Sequence, residues 1–180
     1  DRFPDRSFVI LDAQDDRGGT WWTHRYPGVR SDSDLFTYGY RFKPWRGASI
    51  AAGGAILEYL DEVIEEGDLT PHIRYHHRVT GVSWSTEDRR WTADVTRADT
   101  GERLRFTTDF LWMCQGYYNH EKPYQPRWEG MDRFQGRIVH PQQWPDDLDY
   151  AGRKVVVIGS GATAVTLVPE MAKTAAHVTM

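Results

Sequence analysis

A single cysteine, Cys114, stands among the 180 residues of the chain. One cysteine excludes an internal disulfide and a multi-cysteine metal site, and it is compatible with a reducing cytoplasm. The chain also lacks an apolar run near the roughly 20 residues that a membrane-spanning helix requires. Its first residues, DRFPDRSF, lack the pattern of a secretory signal. These absences predict a cytoplasmic protein without an integral membrane segment.

Neither sign of charge dominates the sequence. The 22 Lys and Arg residues are scattered and are balanced by 26 Asp and Glu, which gives a formal net charge of -4. A concentrated basic face is the electrostatic footprint of nucleic-acid binding, so no nucleic-acid partner is expected. His140 has no Asp, Glu or Cys at ligand spacing, which makes a poor metal site, and no metal is predicted.

Aromatic residues, in contrast, are plentiful. Eight Trp, nine Tyr and seven Phe make up 13% of the chain, and many of them lie between Trp21 and Trp45. Two interpretations stay open at this point: packing of the core and loops, because aromatic side chains bury large areas, or a pocket for a flat ring system.

Hydrophobic periodicity predicts an α/β chain. The expected elements are, in order, a buried parallel strand over Phe8–Leu11, a long loop with short helical pieces over Asp15–Ser49, a helix over Gly54–Ile64 stopped by Gly67, meander strands over Ile73–Ser85, Arg90–Val95 and Arg103–Phe106, a buried strand over Thr108–Gly116, a strand over Lys154–Ile158, a helix over Ala162–Lys173 and a strand over His177–Met180. In such a strand the neighbours His76 and His77 would point to opposite faces.

The segment RKVVVIGSGATAVTLVPEMA carries the sharpest chemical signal. Its loop, Gly159 to Ala164, has the form G-x-G-x-x-A after an apolar strand and before a helix, which is the context of a dinucleotide-binding turn. The helix N-terminus would offer unpaired N–H groups to a pyrophosphate. A tight turn without a ligand is the alternative. The residue that separates NAD from NADP is expected roughly 20 positions later, at or past the end of the chain.

The segment FVILDAQDDRGGTWW gives a second, weaker signal. Asp12 at a strand end is the residue type that accepts hydrogen bonds from a nucleotide ribose. With Gly18 and Gly19 a few residues on, it suggests the second strand of a first dinucleotide domain, whose own glycine loop would lie upstream of Asp1.

The insert FQGRIVHPQQWP fits the pattern F-x-G-x-x-x-H-x-x-x-W-P at all of its fixed positions. Through this insert and the segments GGTWW, RYPGVRSDSDLFTYGYRFKPW and GSGATA, the chain resembles Baeyer–Villiger monooxygenases. It looks closest to their actinobacterial ethionamide-activating type. The resemblance implies two Rossmann-like domains, for FAD and NADP, and a small antiparallel β-meander, with both domains incomplete. The expected boundaries are an FAD domain at 1–133, the signature linker at 134–150 and the start of an NADP domain at 151–180.

The resemblance also implies which residues contact FAD and NADPH. Asp12 would hold the adenosine ribose, and Val79 would touch the adenine end through its backbone. The residues expected to line FAD are Gly18, Gly19, Thr20, Trp21, Trp22 and Thr23. Those expected where flavin meets nicotinamide are Arg30, Ser31, Asp32 and, close by, Tyr38. Those expected at the NADPH pyrophosphate are Gly159, Ser160, Gly161, Ala162, Thr163, Ala164 and Val165.

Two residues are the catalytic candidates. In the mechanism that the resemblance implies, a C4a-peroxyflavin transfers one oxygen atom of O2 to a ketone or a sulfur compound. Asp32 would fix the position and charge of an anion-stabilising Arg that is expected beyond Met180; its alternative role is a turn residue in the DSD run. His140 would act as a hinge or latch in the linker, which Pro141 and Pro145 stiffen.

Two other functions remain open at this stage. One is a flavin-containing monooxygenase that acts on amine or sulfur nucleophiles. The other is a catalytically silent, cofactor-binding fragment. Oligomeric state stays undetermined.

Overall fold

The computed structural model describes residues 5–180, so the first four residues of the predicted FAD domain lie outside it. The chain divides into two compact units. The first unit contains the residues up to Gly19 and Leu60–Tyr117, and the second contains Thr20–Tyr59 and Tyr118–Met180. No helix among residues 5–180 is long and apolar enough to cross a membrane.

The first unit begins with a short parallel pair of strands. Strand β1, Ile10–Leu11, pairs in parallel with β2, Ile73–Arg74. The predicted parallel strand is therefore present, but its predicted burial is wrong, because Phe8 and Ile10 are 51% and 42% exposed. Among the described residues β1 has one neighbouring strand, and a parallel strand is buried when helices cover both faces of its sheet.

The antiparallel meander forms the rest of this unit. Its strands are β3, His77–Ser85, β4, Arg90–Arg97, and β5, Arg103–Thr108, in the order β3-β4-β5. The central strand carries the two buried core residues of the sheet, Ala93 and Val95. The meander is confirmed, but its first predicted strand is in fact two, because His76 takes a left-handed backbone with φ 59° between β2 and β3. His76 and His77 therefore do not alternate on one strand.

The apolar run Thr108–Gly116 does not form the predicted buried strand. Strand β5 ends at Thr108, and the following residues have no regular strand structure. Phe110 and Trp112 are 72% and 79% exposed. A strand needs partners for its backbone N–H and C=O groups, and the described part of the chain places no strand beside this run.

Helix α3, Gly53–Glu66, confirms the predicted amphipathic helix. Ile56, Tyr59 and Val63 are its buried side chains and recur at helical spacing. The helix ends at Glu66, two residues later than predicted. The left-handed residue that follows it is Asp68, with φ 47°, and not Gly67. Leu69 N donates to Ile64 O at 2.9 Å, which satisfies one of the last helical carbonyls.

The second unit starts with the predicted long loop. It contains two short helices, α1, Thr20–Thr23, and α2, Leu35–Tyr38. Asp34 caps α2, since its side chain accepts a hydrogen bond from Phe36 N at 2.8 Å. An isolated antiparallel bridge joins Arg30 to Ala52.

A strand-helix-strand unit completes the second unit. Strand β6, Lys154–Val156, and strand β7, His177–Thr179, pair in parallel, and α4, Ala162–Met171, connects them. The buried side chains of α4 face the strands and a part of the long loop. The resulting core cluster consists of Tyr26, Leu167 and Met171, with Val29, Trp144, Tyr150, Val155, Val157 and Val178 packed against it.

Candidate functional site

The glycine loop at the start of α4 is open. Gly159 has φ 143°, a backbone conformation that L side chains rarely adopt, and a Cβ on Gly159 or Gly161 would meet no atom within 4 Å. Gly161 is the N-cap of α4 and supplies no side-chain cap. The backbone at the start of the helix is therefore exposed, and the N-terminus of a helix stabilises an anion by hydrogen bonds and by the helix dipole.

The rest of this loop divides between an inner and an outer face. Ala164 is 6% exposed and packs inward, so its small size allows the helix to approach the strands. Ser160 and Ala162 are exposed, Thr163 is half-buried, and Val165 is 58% exposed. These residues fit a pyrophosphate that approaches the backbone from the solvent side.

The turn Tyr26-Pro27-Gly28 packs directly on α4. Gly28 has φ 76°, and a Cβ built there would collide with the Glu170 side chain and lie 3.2 Å from Thr166 O. Sequence reasoning did not single out Gly28 as a site residue. A Pro-Gly pair does signal a turn, but it does not reveal what the turn contacts.

Asp12 is fixed at the end of β1 in the first unit. Its N donates to Arg74 O at 3.0 Å, and its carbonyl accepts from His77 N at 2.8 Å. Its Oδ1 accepts from Gln14 N at 2.8 Å, so the carboxylate is oriented by its own loop. Val79 lies in the same unit, 39% exposed and opposite Val95, where the register of β3 shifts.

The glycine pair after Asp12 is held from one side. Gly18 and Gly19 have φ values of 104° and 51°, and a Cβ on Gly19 would meet no atom within 4 Å. The preceding Arg17 donates from both Nε and Nη2 to the carboxylate of Asp61 on α3. This fork-to-carboxylate contact anchors the turn while leaving the glycines uncovered.

The residues of α1 include a buried hydroxyl without a partner. Thr20, Trp21 and Trp22 are half-buried. Thr23 Oγ1 is buried and has no hydrogen-bond partner among residues 5–180. A buried hydroxyl is normally paired, so this atom is suited to accept or donate one bond to a group outside the described chain.

Around Arg30 the loop alternates between outward and inward side chains. Ser31 is buried, its N donates to Ala51 O at 2.8 Å and its Oγ accepts from Ala51 N at 3.0 Å. Arg30 and Asp32 are exposed on either side of it. Asp32 Oδ1 accepts from Ser33 Oγ at 3.3 Å. The capping role in the DSD run belongs to Asp34, and Tyr38 beyond it is 73% exposed.

His140 caps a short 3-10 turn over Pro141–Gln143 in the linker. Its Nδ1 accepts from Gln142 N at 3.2 Å. An accepting Nδ1 carries no proton, so the neutral ring has its hydrogen on Nε2. The ring of Phe134 folds over Gly136, where a Cβ would lie 2.5 Å from the ring, and this explains why glycine stands at that signature position.

The packing interpretation of the aromatic residues is confirmed at some positions, and the pocket for a flat ring system stays a prediction. Trp45 and Tyr59 are buried, and Trp45 Nε1 donates to Ala48 O at 2.8 Å. Phe36, Tyr38 and Phe42 are instead exposed. Within residues 5–180 no group of three or more His, Cys, Asp or Glu side chains has an arrangement that could hold a metal ion.

A parallel strand-turn-helix-strand with an open G-x-G turn defines an α/β protein of the dinucleotide-binding class. A family model described as flavin-binding monooxygenase-like matches residues 50–180. The chain belongs to this flavin-binding monooxygenase-like family, and the family resemblance seen in the sequence is confirmed.

Individual relatives agree with this assignment. The chain is 54% identical over 182 residues to the FAD-containing monooxygenase EthA of Mycolicibacterium smegmatis, with coverage of 100% of this chain and 37% of the relative. It is 51% identical over 183 residues to the putative FAD-containing monooxygenase MymA of Mycobacterium tuberculosis, with coverage of 99% and 37%. The chain thus spans about 37% of the length of these curated relatives.

Solved structures confirm the predicted fold class. An oxidized steroid monooxygenase bound to NADP has a TM-score of 0.80 at 33% identity, over 98% of this chain and 34% of that one. Cyclohexanone monooxygenase from Rhodococcus sp. Phi1 bound to NADP+ has a TM-score of 0.74 at 29% identity, over 94% and 32%.

Proposed function

We propose that the intact protein is a monooxygenase of Baeyer–Villiger type that uses FAD and NADPH to insert one oxygen atom of O2 into ketones and to oxidise sulfur compounds. The observation that carries the proposal is the open glycine loop, Gly159 to Gly161, at the uncapped N-terminus of α4. Its occurrence in a chain 54% identical to an FAD-containing monooxygenase supports the flavin.

On the nicotinamide side, the backbone of the glycine loop binds the pyrophosphate. When bound, NADPH supplies a hydride and FAD supplies the oxygen-activating chemistry. The N–H groups of the first turn of α4 then bind the phosphates, and the bare Cα of Gly161 lets them approach. The residues assigned to this side are Gly159, Ser160, Gly161, Ala162, Thr163, Ala164 and Val165.

On the flavin side, the buried unpaired hydroxyl of Thr23 fits a cofactor group. Asp12 accepts from a ribose hydroxyl, and the backbone of Val79 contacts the adenine end. The other residues assigned to this side are Gly18, Gly19, Thr20, Trp21, Trp22, Arg30, Ser31 and Tyr38.

Asp32 and His140 have different roles in the proposal. Asp32 has an exposed carboxylate that is not needed as a helix cap, since Asp34 provides the cap. It therefore pairs with and orients an arginine of the intact protein. His140 acts in the linker 134–150 and controls how an FAD domain, 1–133, and an NADP domain, 151–180 onward, move during the cycle.

The first test measures the absorbance spectrum, the NADPH oxidation and the products of the intact protein. We expect a flavin absorbance band, NADPH oxidation, and a lactone product from a cyclic ketone. Gly161→Val should weaken NADPH binding with little change in flavin content, because its side chain occupies the pyrophosphate position. Gly54→Val, at an exposed position of α3 where an added Cβ meets no atom within 4 Å, is the control for an added side chain. Absence of flavin, or NADPH oxidation without lactone or sulfoxide, would contradict the proposal.

Product analysis also separates the two remaining alternatives. Oxygenation of amines and sulfides without any lactone would indicate a flavin-containing monooxygenase of the nucleophile-oxidising type. The second alternative, a catalytically silent fragment, is tested by measuring the flavin absorbance of the 180-residue chain alone. That fragment would bind flavin and catalyse no turnover.

A further inference from the structure

Three histidines of the second unit lie in one cluster that the proposed function leaves unexplained. His24, directly after α1, is buried, with 7% exposure. Its ring centroid lies 6.5 Å from that of His120. The ring of Tyr118 meets it edge-on at 5.2 Å. His140 is near enough to act electrostatically on His24. We call His24, His120 and His140 the histidine cluster.

Two successive glutamines fasten the linker to the segment that carries His120. Gln142 is 7% exposed, and its Nε2 donates to Asn119 O at 2.5 Å. Gln143 Nε2 donates to Glu121 O at 3.0 Å. The two acceptor carbonyls flank His120 in the sequence. The linker is therefore attached at the position of His120 by side-chain amides that cannot be replaced by carboxylates, which have no proton to donate.

Burial and one accepted hydrogen bond characterise the rings of the cluster. His140 Nδ1 accepts the amide hydrogen of Gln142, and a protonated ring would present a donor there instead. His120 Nδ1 is buried without a hydrogen-bond partner in the part of the chain from residue 5 to residue 180. Burial lowers the pKa of His24, and the charges of His120 and His140 lower it further.

Among residues 5–180, no carboxylate contributes to the shift in the pKa of His24. The titratable side chains facing it are those of Tyr26, Tyr118, His120 and His140. None of these four is a carboxylate. The guanidinium of the neighbouring Arg25 is turned onto the ring of Trp22, 4.9 Å from its centroid. A proton on His24 is thus buried among groups that do not compensate it.

We propose that His24 and His120 are positioning residues for His140, and that the histidine cluster, with the Gln142 amide, holds the linker in place until protonation of His24 releases it. In the intact protein the cluster then sets the acid limb of the pH profile, because only the held linker supports coupled turnover. The link to turnover rests on the proposed function, whereas the attachment of the linker rests on the contacts described above and is tested separately.

The amide of Gln142 is a direct reporter, since its acceptor is His140 Nδ1. Hydrogen–deuterium exchange of the intact protein, corrected for intrinsic rates, is measured at about pH 7.5 and about pH 5.5, on either side of the histidine range. We expect exchange at Gln142 to become roughly tenfold faster at the lower pH, as local opening becomes easier. Amides of strands β3 to β5 in the first unit provide the internal reference. No change at Gln142 relative to that reference would overturn the proposal.

Variants separate titration of the cluster from simple packing. His24→Phe keeps a ring against Tyr118 and cannot be protonated, so the pH response should fall to less than about twofold. His24→Asn tests the same point if the His24→Phe protein does not fold, because asparagine is smaller than phenylalanine and also cannot be protonated. His177→Gln, on the exposed side of β7, should respond as the natural protein does. An undiminished response in both folded His24 variants would exclude a role for this residue.

The clamp is tested by Gln142→Glu. Its carboxylate cannot donate to Asn119 O, so linker exchange should be fast at both pH values while β3 to β5 stay protected. Unchanged linker exchange would refute the clamp. The activity readout is the pH profile of oxygenated product formed per NADPH oxidised. Its acid limb should move to lower pH in His24→Phe, and a fixed limb would contradict the link to turnover. If the intact protein oxidises no NADPH, only the proposed function fails.

Discussion

The meander and the loop-and-linker part of the second unit are held together by different kinds of contact. Strands β3, β4 and β5 form a continuous antiparallel ladder with one shift of register, between Val79 and Gly81. Residues 20–52 and 118–150 contain only short helices and 3-10 turns, and several of their contacts depend on a single side chain, such as that from Gln142 Nε2 to Asn119 O. In a ladder many equivalent hydrogen bonds contribute to the stability. In the loops and linker, one side chain often carries the whole contact.

This difference predicts where single substitutions act. The meander should tolerate changes along its exposed faces and fail when its small core is disturbed. The second unit should be sensitive at isolated positions that have little in common by sequence pattern.

Val95→Asp should have the largest effect on stability. Val95 is 2% exposed at the centre of β4, and a carboxylate there would be buried without a partner. We expect the free energy of unfolding to fall by about 3–5 kcal/mol, the range seen for uncompensated buried charges. Val82→Asp on β3, where the side chain is 40% exposed, is the matched control. Urea unfolding measures both, and equal losses would contradict a core confined to β4.

Gly28→Ala should destabilise the second unit by about 1–3 kcal/mol, through left-handed strain and collision with Glu170. The physical cause is the φ of 76° and the approach to Thr166 O at 3.2 Å. Gly54→Ala, in α3, meets no atom within 4 Å and should be neutral or slightly stabilising. If thermal unfolding shows the same midpoint for both variants, the turn does not press on α4.

Ser31→Ala should cost about 1–2 kcal/mol, because it leaves the buried N–H of Ala51 without its acceptor. The bond from Ala51 N to Ser31 Oγ is 3.0 Å long. Thr80→Val is the corresponding change in the meander, where Thr80 Oγ1 donates to Asp94 O at an exposed position. Chemical denaturation of the pair should show the smaller loss for Thr80→Val. A reversed order would remove the contrast between ladder and loop.

Local patterns were sufficient for the regular elements. The alternation along Arg90–Val95 and Arg103–Phe106 and the spacing in Gly54–Ile64 each depend on near neighbours, and all three elements formed. The glycine loop and α4 were equally predictable from local sequence, because strand, turn and helix are adjacent in the chain. Thr108–Gly116 failed since an apolar run indicates burial only if a partner strand covers it, and its own residues do not identify that partner.

Contacts over long sequence distances could not be predicted in the same way. Nothing in RYPGVR indicates that Gly28 lies on α4, and nothing in WWTHRY brings His24 to the linker. These positions are chosen by shape complementarity between distant segments, and periodicity carries no information about it. His140 was recognised through its signature, whereas His24 and Gln142 have no signature and become visible only from their burial and hydrogen bonds.

The smallest expected effect is a pH dependence that the second unit has and the meander lacks. Burial and two neighbouring histidines lower the pKa of His24 from its ordinary value of 6.5. Below that value the unfolded chain binds a proton that the folded chain resists, so stability rises with pH across this window. The contribution is complete above about pH 6.5 and is lost as the pH falls towards the folded-state pKa.

This dependence is measured by urea unfolding, with the amide protection of each unit as the signal that is monitored. The second unit should lose stability as the pH is lowered from about 7 to about 5. His24→Phe should flatten the curve of the second unit and leave that of β3 to β5 unchanged, because the substituted ring does not titrate. A natural protein whose two units lose stability in parallel, with or without His24, would show that general charge repulsion at low pH governs both. The distinction between ladder and side-chain contacts would then have no consequence for the response to acid.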